Sequence, residues 1–128
     1  MVSPDRGMVL IVEDDPDLRE SLAGLLELEG FRTRQAADGL EGLHACKVCH
    51  PDVVVSDIRM PRKNGLDFLR DLRREVDHPP PVVLMTAYAD VKPDDAARAG
   101  AAELLAKPLD IPRFVELLSR LGTGDLPQ

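Results

Sequence analysis

Apolar residues along the chain alternate between short continuous runs and stretches in which they recur every three or four positions. The continuous runs are MVLIV (8–12), VVVS (53–56) and VVLM (82–85). Such runs are typical of strands buried on both faces of a parallel sheet. Weaker strands are predicted at FRTRQ (31–35) and ELLA (103–106). A helical pattern follows each run, so the chain repeats a strand–helix unit five times.

The predicted helices are marked by their apolar spacing or by capping residues. Apolar stripes mark three of them: Leu18, Leu22, Leu25 and Leu26; Leu66, Leu69, Leu72 and Val76; and Phe114, Leu117, Leu118 and Leu121. Asp38 is expected to cap a helix that runs to about Cys49. Asp90 or Lys92 precedes a short helix over Pro93–Ala99.

This order predicts an α/β domain, a (βα)5 fold with a doubly wound five-stranded parallel sheet. We expect the domain to span residues 8–121, with a lead-in over 1–7 and a frayed tail, GTGDLPQ, over 122–128. In such sheets ligands bind in the crevice beyond the carboxyl ends of the strands. The polar residues at those ends are therefore the candidates for chemistry.

Composition narrows the possible partners. The chain has 128 residues, a net charge of -7, three Phe, one Tyr and no Trp. A chain that is this acidic and poor in aromatic residues is not expected to bind nucleic acid. No apolar run is long enough to insert into a membrane, and MVSPDRG lacks the apolar core of a secretion signal, which predicts a cytoplasmic protein. The net negative charge favours a protein partner or a bound cation instead.

The strand ends carry an acidic cluster with one lysine. The first strand runs into Glu13, Asp14 and Asp15, and the third runs into Asp57. Like charges about 4 Å apart repel by roughly 4 kcal/mol at an effective dielectric near 20, so neighbouring carboxylates here invite a divalent cation. Their hard oxygen ligands suit Mg²⁺, which also binds phosphate oxygens.

A phosphoryl group would give the remaining polar residues a use. Lys107, after the fifth strand, would neutralise it, and the Thr86 hydroxyl, at the end of the fourth strand, would donate a hydrogen bond to it. Asp57 is the central carboxylate, and carboxylates form acyl phosphates as covalent intermediates. Asp57 is therefore the candidate nucleophile.

Four motifs together resemble the receiver domain of bacterial two-component response regulators. They are VEDDP, SDIRMPRKNGLDFL, MTAY and AKP, in this order over nearly the whole chain. The resemblance implies a flavodoxin-like fold with strand order 2-1-3-4-5. It also implies that the protein accepts a phosphoryl group from a sensor histidine kinase, a phosphotransfer protein or a small acyl phosphate.

The resemblance assigns roles residue by residue. Asp57 matches the phosphoacceptor. Asp14 matches the direct Mg²⁺ ligand, and Glu13 matches an acid that holds Mg²⁺ through water. Thr86 matches the switch hydroxyl and Lys107 the phosphate-binding lysine. Asp15, one place beyond the acidic pair, is expected to start a helix.

The loop after Asp57 is also expected to serve the site. The resemblance implies that the main-chain carbonyl of Arg59 completes the metal site and that Pro61 and Gly65 shape the loop. The Arg59 side chain and Tyr88 occupy positions that tune the loss of the phosphoryl group, or are plain surface residues. The peptide before Pro108 is often cis in the family.

Two features depart from the family pattern. The family usually has an aromatic residue three positions before the lysine, and here that position is Leu104. The segment VKPDDAARA, before Gly100, is polar, alanine-rich and about a residue shorter than usual. The resemblance therefore does not determine the switching mechanism, the placement of the fourth helix or the mode of dimerisation. We expect a monomer or a weak phosphorylation-dependent dimer.

Phosphorylation is expected to switch protein–protein interactions through the face made by the fourth helix, fifth strand and fifth helix. No DNA-binding segment follows in the sequence, and the downstream protein is unknown. The chain is not expected to be an enzyme beyond assisting its own phosphorylation and dephosphorylation.

Three alternatives remain. An aspartyl-phosphate phosphatase like the haloacid dehalogenases would need an acid where Arg59 stands. An inert docking domain would explain Leu104 and the unusual fourth helix. A flavin-binding domain of the same topology is disfavoured, because the first and third loops are acidic and no aromatic pair is placed to stack on a ring.

CKVCH (46–50) points in another direction, since two thiols and a histidine suggest haem attachment, a redox dithiol or half a metal site. Gly42, Leu43 and Cys46 continue one apolar stripe, which makes Cys46 a core residue. Without an export signal the cysteines are expected to remain thiols. We therefore interpret Cys49 and His50 as a helix exit, with the chemistry at Asp57.

Overall fold

The computed structural model describes residues 6–60, 62–87 and 91–122. Five strands alternate with five helices over this part of the chain. The strands are β1 (Met8–Val12), β2 (Arg32–Ala36), β3 (Val53–Asp57), β4 (Val82–Thr86) and β5 (Glu103–Ala106). The helices are α1 (Pro16–Leu28), α2 (Gly39–Cys49), α3 (Gly65–Glu75), α4 (Pro93–Ala99) and α5 (Ile111–Gly122).

The strands form one parallel sheet in the order β2-β1-β3-β4-β5. The predicted (βα)5 architecture and strand order 2-1-3-4-5 are therefore confirmed. Every residue of β3 and β4 is buried, as their continuous apolar runs predicted. The winding reverses between β1 and β3, and this places the site crevice at the carboxyl ends of these two strands.

Helices cover both faces of the sheet, and a hydrophobic core lies on each side. On one side α1 and α5 pack through residues such as Leu26 and Phe114 against Ile11. On the other side α2, α3 and α4 pack against strand residues including Leu10 and Leu84. Leu26 and Leu84 are fully buried, one in each core. The fold is doubly wound, as the repeat predicted.

Side-chain caps begin four of the helices, and the Asp110 carboxylate caps α5 by accepting the amide of Arg113 at 3.3 Å. The Asp15 carboxylate accepts hydrogen bonds from the amides of Asp17 and Leu18, which confirms its role at the start of α1. Asp38 caps α2 in the same way and Asn64 caps α3. Lys92 precedes α4 without a side-chain hydrogen bond.

Two sequence-based boundaries were wrong by a residue or two. Val76 was predicted to extend the apolar stripe of α3, but it follows the helix in extended conformation and packs on the core from there. The second strand begins at Arg32 rather than Phe31, which is buried just before it. In both cases burial of an apolar side chain continues past the end of the regular backbone.

Three residues that were singled out in the sequence, Pro61, Tyr88 and Asp90, lie outside the described part of the chain. The peptide between Lys107 and Pro108 is cis. Within the described residues, no helix combines the length and apolar character needed to cross a bilayer.

Candidate functional site

The carboxyl edge of the sheet brings the predicted polar residues to one place. Asp57 is the last residue of β3 and pairs with Met85, and Thr86 is the last residue of β4. Lys107 follows β5, and its amide donates a 2.8 Å hydrogen bond to the carbonyl of Thr86. Glu13 follows β1, and its amide donates to the carbonyl of Ala36 at 3.0 Å. Each side chain is thus held at the site by strand pairing.

Three carboxylates form the acidic part of the site. One oxygen each from Glu13, Asp14 and Asp57 lies within 4.8 Å of the others. Glu13 and Asp57 are buried, whereas Asp14 is exposed. Among the residues that the structure describes, this is the one group of three or more His, Cys, Asp or Glu side chains with a spacing that suits a metal ion.

Lys107 supplies the cation within the cluster. Its Nζ lies 3.3 Å from Glu13 Oε1 and 3.3 Å from Asp57 Oδ1. The lysine side chain is 22% exposed, against 2% for Glu13, so the ammonium lies between the buried carboxylates and solvent. One ammonium faces three carboxylates, and the charge of the cluster stays negative when all four groups are ionised.

Burial and charge oppose each other at this site. Burial raises the pKa of Asp57, against the effect of Lys107 and with a smaller contribution from the Asp14 carboxylate. Burial likewise raises the pKa of Glu13. Burial also opposes the charge of Lys107, but the Asp57 and Glu13 carboxylates outweigh it and raise the lysine pKa. A divalent cation would relieve the remaining repulsion, and the three hard oxygen donors fit Mg²⁺.

A shallow cavity of about 590 Å³ adjoins the acidic cluster. Asp14 and Arg59 lie in its wall, together with the apolar side chains of Met60, Leu66 and Val91. Arg59 therefore borders the same space as the exposed Mg²⁺-ligand candidate. The cavity is open to solvent and borders the acidic cluster at Asp14.

The loop after β1 is held by contacts that the sequence did not predict. The amide of Asp15 donates to Glu13 Oε2 at 3.1 Å. The Arg19 guanidinium donates to the Glu13 carbonyl at 2.8 Å and to Gln35 Oε1 at 3.1 Å. These bonds fix the Glu13 backbone and carboxylate relative to β2. Periodicity carries no signal for such a contact, because Arg19 occupies an ordinary polar position of α1.

The loop after β3 carries further ion pairs that were missed. Arg62 is paired with Asp38 at the start of α2, and Lys63 is paired with Asp71 of α3. Asp38 was recognised in the sequence only as a helix cap. Arg62 and Lys63 lie in a stretch without apolar periodicity, so the sequence indicated only two solvated charges. Their partners lie 24 and 8 residues away in the chain.

The two departures from the family pattern are visible in the structure. Leu104 is partly buried, lies opposite Leu84 in the sheet and packs on the core below α4. Helix α4 has 7 residues and buries only Ala96 among its side chains. This helix therefore packs through small side chains.

CKVCH lies at the end of α2, at the opposite edge of the sheet from the acidic cluster. Cys46 is buried, Cys49 is partly buried, and both are free thiols. Burial, with the nearby Cys49, raises the pKa of the Cys46 thiol to about 12. His50 follows the helix in a left-handed conformation. In the described chain the motif contributes to no cluster suited to a metal, and Cys46 is a core residue as expected.

Known proteins match this chain over most of its length. The family model of the response regulator receiver domain matches residues 9–119. Regulatory protein AtoC of Escherichia coli is 39% identical over 113 residues, which cover 88% of this chain and 24% of AtoC. The polar-differentiation response regulator DivK of Brucella ovis is 35% identical over 118 residues, which cover 89% of this chain and 95% of DivK. The chain thus spans about a quarter of one relative and nearly all of the other.

Solved structures agree with the sequence matches. The receiver domain of Francisella response regulator 1452 superposes with a TM-score of 0.85 at 26% identity, covering 94% of this chain and 99% of that domain. Response regulator TrrA of Thermotoga maritima, solved with Mg²⁺ and BeF, has a TM-score of 0.80 at 30% identity, covering 89% of this chain and 97% of TrrA. The acidic cluster and its lysine thus lie in a fold that these regulators share, and the chain belongs to the response regulator receiver domain family.

Proposed function

We propose that this protein is a phosphoacceptor of a two-component pathway, in which Asp57 receives a phosphoryl group in a Mg²⁺-dependent reaction. The observation that carries the proposal is the grouping of three carboxylate oxygens within 4.8 Å of one another, with the Lys107 ammonium 3.3 Å from Asp57. Receiver domains bind Mg²⁺ at an acidic pocket and interact with histidine kinases and phosphotransfer proteins. Membership of this family supports the proposal.

Three carboxylates and one carbonyl would hold the metal. Asp14 and Asp57 would hold Mg²⁺ directly, Glu13 would hold it through water, and the main-chain carbonyl of Arg59 would complete the site. The exposure of Asp14 and the burial of Glu13 suit this division, because the more accessible carboxylate faces the cavity. Bound Mg²⁺ would offset the negative charge of the phosphoryl oxygens.

Asp57 acts as the nucleophile. One of its carboxylate oxygens attacks phosphorus in line, forming an O–P bond as the bond from phosphorus to the donor nitrogen or oxygen breaks. The electron pair of that bond leaves with the histidine or acyl donor. Lys107 is already within 3.3 Å of Asp57 and neutralises charge on the transferred group.

Thr86 connects the chemistry to the surface. It ends β4, beside Asp57 in the sheet and next to the strand that leads into Lys107. Its hydroxyl donates a hydrogen bond to the new phosphoryl group. Thr86 and its loop thereby move inward, and this movement changes the face made by α4, β5 and α5. Leu104 takes the place of the usual aromatic residue, so this switch works without an aromatic rotation.

The phosphoryl donor is a sensor histidine kinase or a phosphotransfer protein, and the output is a change in protein–protein binding. We place this exchange in the cytoplasm, with a monomer or a weak phosphorylation-dependent dimer as the acting form. Receiver domains are generally non-catalytic signalling modules, and we propose that this one turns over only its own phosphoryl group. Arg59, where a haloacid dehalogenase-like phosphatase has its general acid, favours this reading.

An inert docking domain is the second candidate, favoured by Leu104 and by the short α4. Such a domain would keep the fold without phosphorylation. Exposure to beryllofluoride and Mg²⁺ distinguishes the two, since the phosphoacceptor is expected to show chemical-shift changes at Thr86 and along β5 by NMR. An unchanged spectrum would favour the inert domain.

Phosphorylation can be tested by incubating the protein with acetyl phosphate and Mg²⁺ and measuring its intact mass. We expect one added phosphoryl group in the wild type and none in Asp57→Asn. Asp15→Asn is the matched control, because Asp15 is an adjacent acid that caps α1 and lies outside the proposed metal site. The proposal fails if the wild type gains no mass, or if Asp57→Asn gains as much as the wild type.

A further inference from the structure

The loop between β3 and α3 is tied to the start of α2 by an ion pair. The Arg62 guanidinium donates through Nε to Asp38 Oδ2 at 2.7 Å, and a second of its nitrogens contacts the same oxygen. The Asp38 side chain is only 5% exposed, whereas Arg62 is 58% exposed. The other oxygen of Asp38 accepts the amide of Glu41 at 3.0 Å and so caps α2. The loop is therefore bound by an ion pair to a carboxylate that is itself hydrogen-bonded to the first turn of α2.

Backbone contacts hold the same part of the loop. Arg62 has a φ of 64°, a left-handed conformation that few non-glycine residues adopt. Next to it, the carbonyl of Lys63 lies where a side chain on Gly39 would meet it at 2.7 Å. The loop thus rests directly on the first turn of α2, and glycine at position 39 permits that approach.

The other end of the loop is fixed to the phosphoacceptor strand. The amide of Gly65 donates to the Ile58 carbonyl at 2.8 Å, and a side chain at position 65 would lie 2.5 Å from the carbonyl oxygen of Asp57. Arg59 lies between these two anchored points. A shift at the α2 anchor would therefore move the Arg59 carbonyl relative to Asp57.

We propose that Arg62, through its ion pair with Asp38, is a positioning residue that sets the Arg59 carbonyl for Mg²⁺. This inference rests on the proposed function, because it concerns the metal ligand named there. Neither Arg62 nor Asp38 touches the metal or the phosphoryl group. Their effect is on the geometry of a ligand, as outer contacts of metal ligands generally act.

Charge alone predicts a different result from positioning. Loss of the Arg62 cation makes the region more negative, which by itself would tighten Mg²⁺ binding. Loss of the Asp38 charge would by itself weaken it. Positioning predicts that both changes weaken binding and that the double change costs little more than either single one. Weaker binding in Arg62→Gln is therefore specific to positioning.

The test is calorimetric titration of Mg²⁺ into the unphosphorylated wild type, Arg62→Gln, Asp38→Asn and the double variant. Asparagine keeps the oxygen that caps α2, so Asp38→Asn removes the charge and leaves the helix start intact. We expect the affinity to fall about tenfold in each single variant and not to fall tenfold again in the double variant. Arg70→Gln is the matched control, because Arg70 is an exposed arginine whose ion pair with Asp67 lies within α3.

Two further variants separate the ion pair from the backbone. Arg62→Gly suits the left-handed conformation but lacks the cation, so we expect it to bind Mg²⁺ as weakly as Arg62→Gln. Arg62→Lys keeps a cation and is expected to recover part of the affinity. Urea unfolding without Mg²⁺ identifies any variant that is not folded, and Arg62→Lys and Asp38→Asn then carry the comparison.

The inference is overturned if Arg62→Gln binds Mg²⁺ as tightly as the wild type or more tightly, while the wild type binds Mg²⁺ and is phosphorylated. It is also overturned if Arg62→Gly restores wild-type affinity. A wild type that neither binds Mg²⁺ nor accepts a phosphoryl group would instead contradict the proposed function.

Discussion

Asp57 is a buried carboxylate at the end of β3. Burial raises the pKa of Asp57, and an oxygen of the Glu13 carboxylate and one of the Asp14 carboxylate each lie within 4.8 Å of an Asp57 oxygen. In the absence of Mg²⁺, ionised Asp57 therefore destabilises the fold, and Lys107 offsets only part of this cost. The residue is placed for reaction at the expense of stability.

Asp57→Asn is expected to stabilise the metal-free protein at neutral pH by on the order of 1 kcal/mol, since it removes one of the crowded charges. Urea unfolding with EDTA measures the change. The difference should shrink as the pH falls through the raised pKa of Asp57, because the wild-type carboxyl then also becomes neutral. A lower stability of Asp57→Asn at neutral pH would contradict the account.

The two cysteines are expected to differ in reactivity. Burial raises the pKa of Cys46 to about 12, so hardly any thiolate is present at pH 8. Cys49 is partly exposed. Iodoacetamide should therefore label one thiol in the native protein and two in urea, and Cys49→Ser should abolish native labelling. Rapid native labelling of Cys46 would contradict its role as a core residue.

The elements of this fold depend on glycine at a few close approaches. Gly65 begins α3 against the carbonyl of Asp57, so an added methyl group there would force the strand end and the helix apart. Gly24 is exposed in the middle of α1, and outside its chain neighbours and the adjacent backbone of its own helix no atom lies within 4 Å of an added methyl group. The same substitution should therefore have opposite effects at the two positions.

Gly65→Ala is expected to lower the free energy of unfolding by about 1–3 kcal/mol, because the overlap must be relieved by backbone movement. Gly24→Ala is expected to raise it by about 0.5–1 kcal/mol, because alanine favours the helix. Urea unfolding of both variants measures the difference. Equal effects at the two positions would contradict the described packing of α3 on β3.

The sequence predicted the five strands and five helices from two kinds of signal. Runs or stripes of apolar residues marked most of them, and capping residues marked α2 and α4. The prediction failed at α3, where Val76 fits the helical stripe but leaves the helix and still packs on the core. It also failed to find the pairing of Arg62 with Asp38. That contact depends on a left-handed backbone in a loop, and periodicity does not describe such a conformation.

The ion pair between Lys63 of the loop and Asp71 of α3 depends on pH. The hydrogen bond from Lys63 is the main cause that lowers the pKa of Asp71 below its ordinary value of 3.8, and Arg74 adds to it. A lowered pKa means that the stabilisation is present above the ordinary value and is lost as the pH falls through the folded-state value. The contact between loop and helix should therefore weaken in acid.

Asp71→Asn is expected to cost about 1–2 kcal/mol of stability at pH 7 and progressively less as the pH falls below the ordinary aspartate value. Urea unfolding at pH 7 and at a pH below 3.8 measures this cost. Asp67→Asn is the control, since Asp67 forms an exposed pair with Arg70 and should change stability by less than about 0.5 kcal/mol. A cost that is independent of pH would show that the Asp71 charge is not involved.

At the scale of the whole molecule, the site ties stability to metal binding. A ligand that binds only the folded state stabilises it by about 2.7 kcal/mol at 100 times its dissociation constant. Mg²⁺ is therefore expected to raise the melting temperature of the wild type, and Asp14→Asn should remove most of the effect. Asp94→Asn, which removes an exposed acid in α4, should leave it unchanged. An equal Mg²⁺ response in all three proteins would indicate nonspecific screening.

The site as a whole was predictable to the extent that strand ends determine it. Asp57, Glu13, Asp14 and Lys107 each follow or end a strand, so the parallel sheet alone brings them to one edge. The distances and the burial that raise the carboxylate pKa values come from packing around the strands. Those quantities become visible only in three dimensions.

The central claim is that Asp57, and no neighbouring group, receives the phosphoryl group. Borohydride reduces an aspartyl phosphate to homoserine, so peptide mass spectrometry after acetyl phosphate, Mg²⁺ and borohydride treatment locates the acceptor directly. The account predicts homoserine at position 57 in the wild type and an unmodified peptide when Mg²⁺ is replaced by EDTA. Homoserine at Asp14 or Asp15, or phosphate retained on His44 or His50, would contradict it.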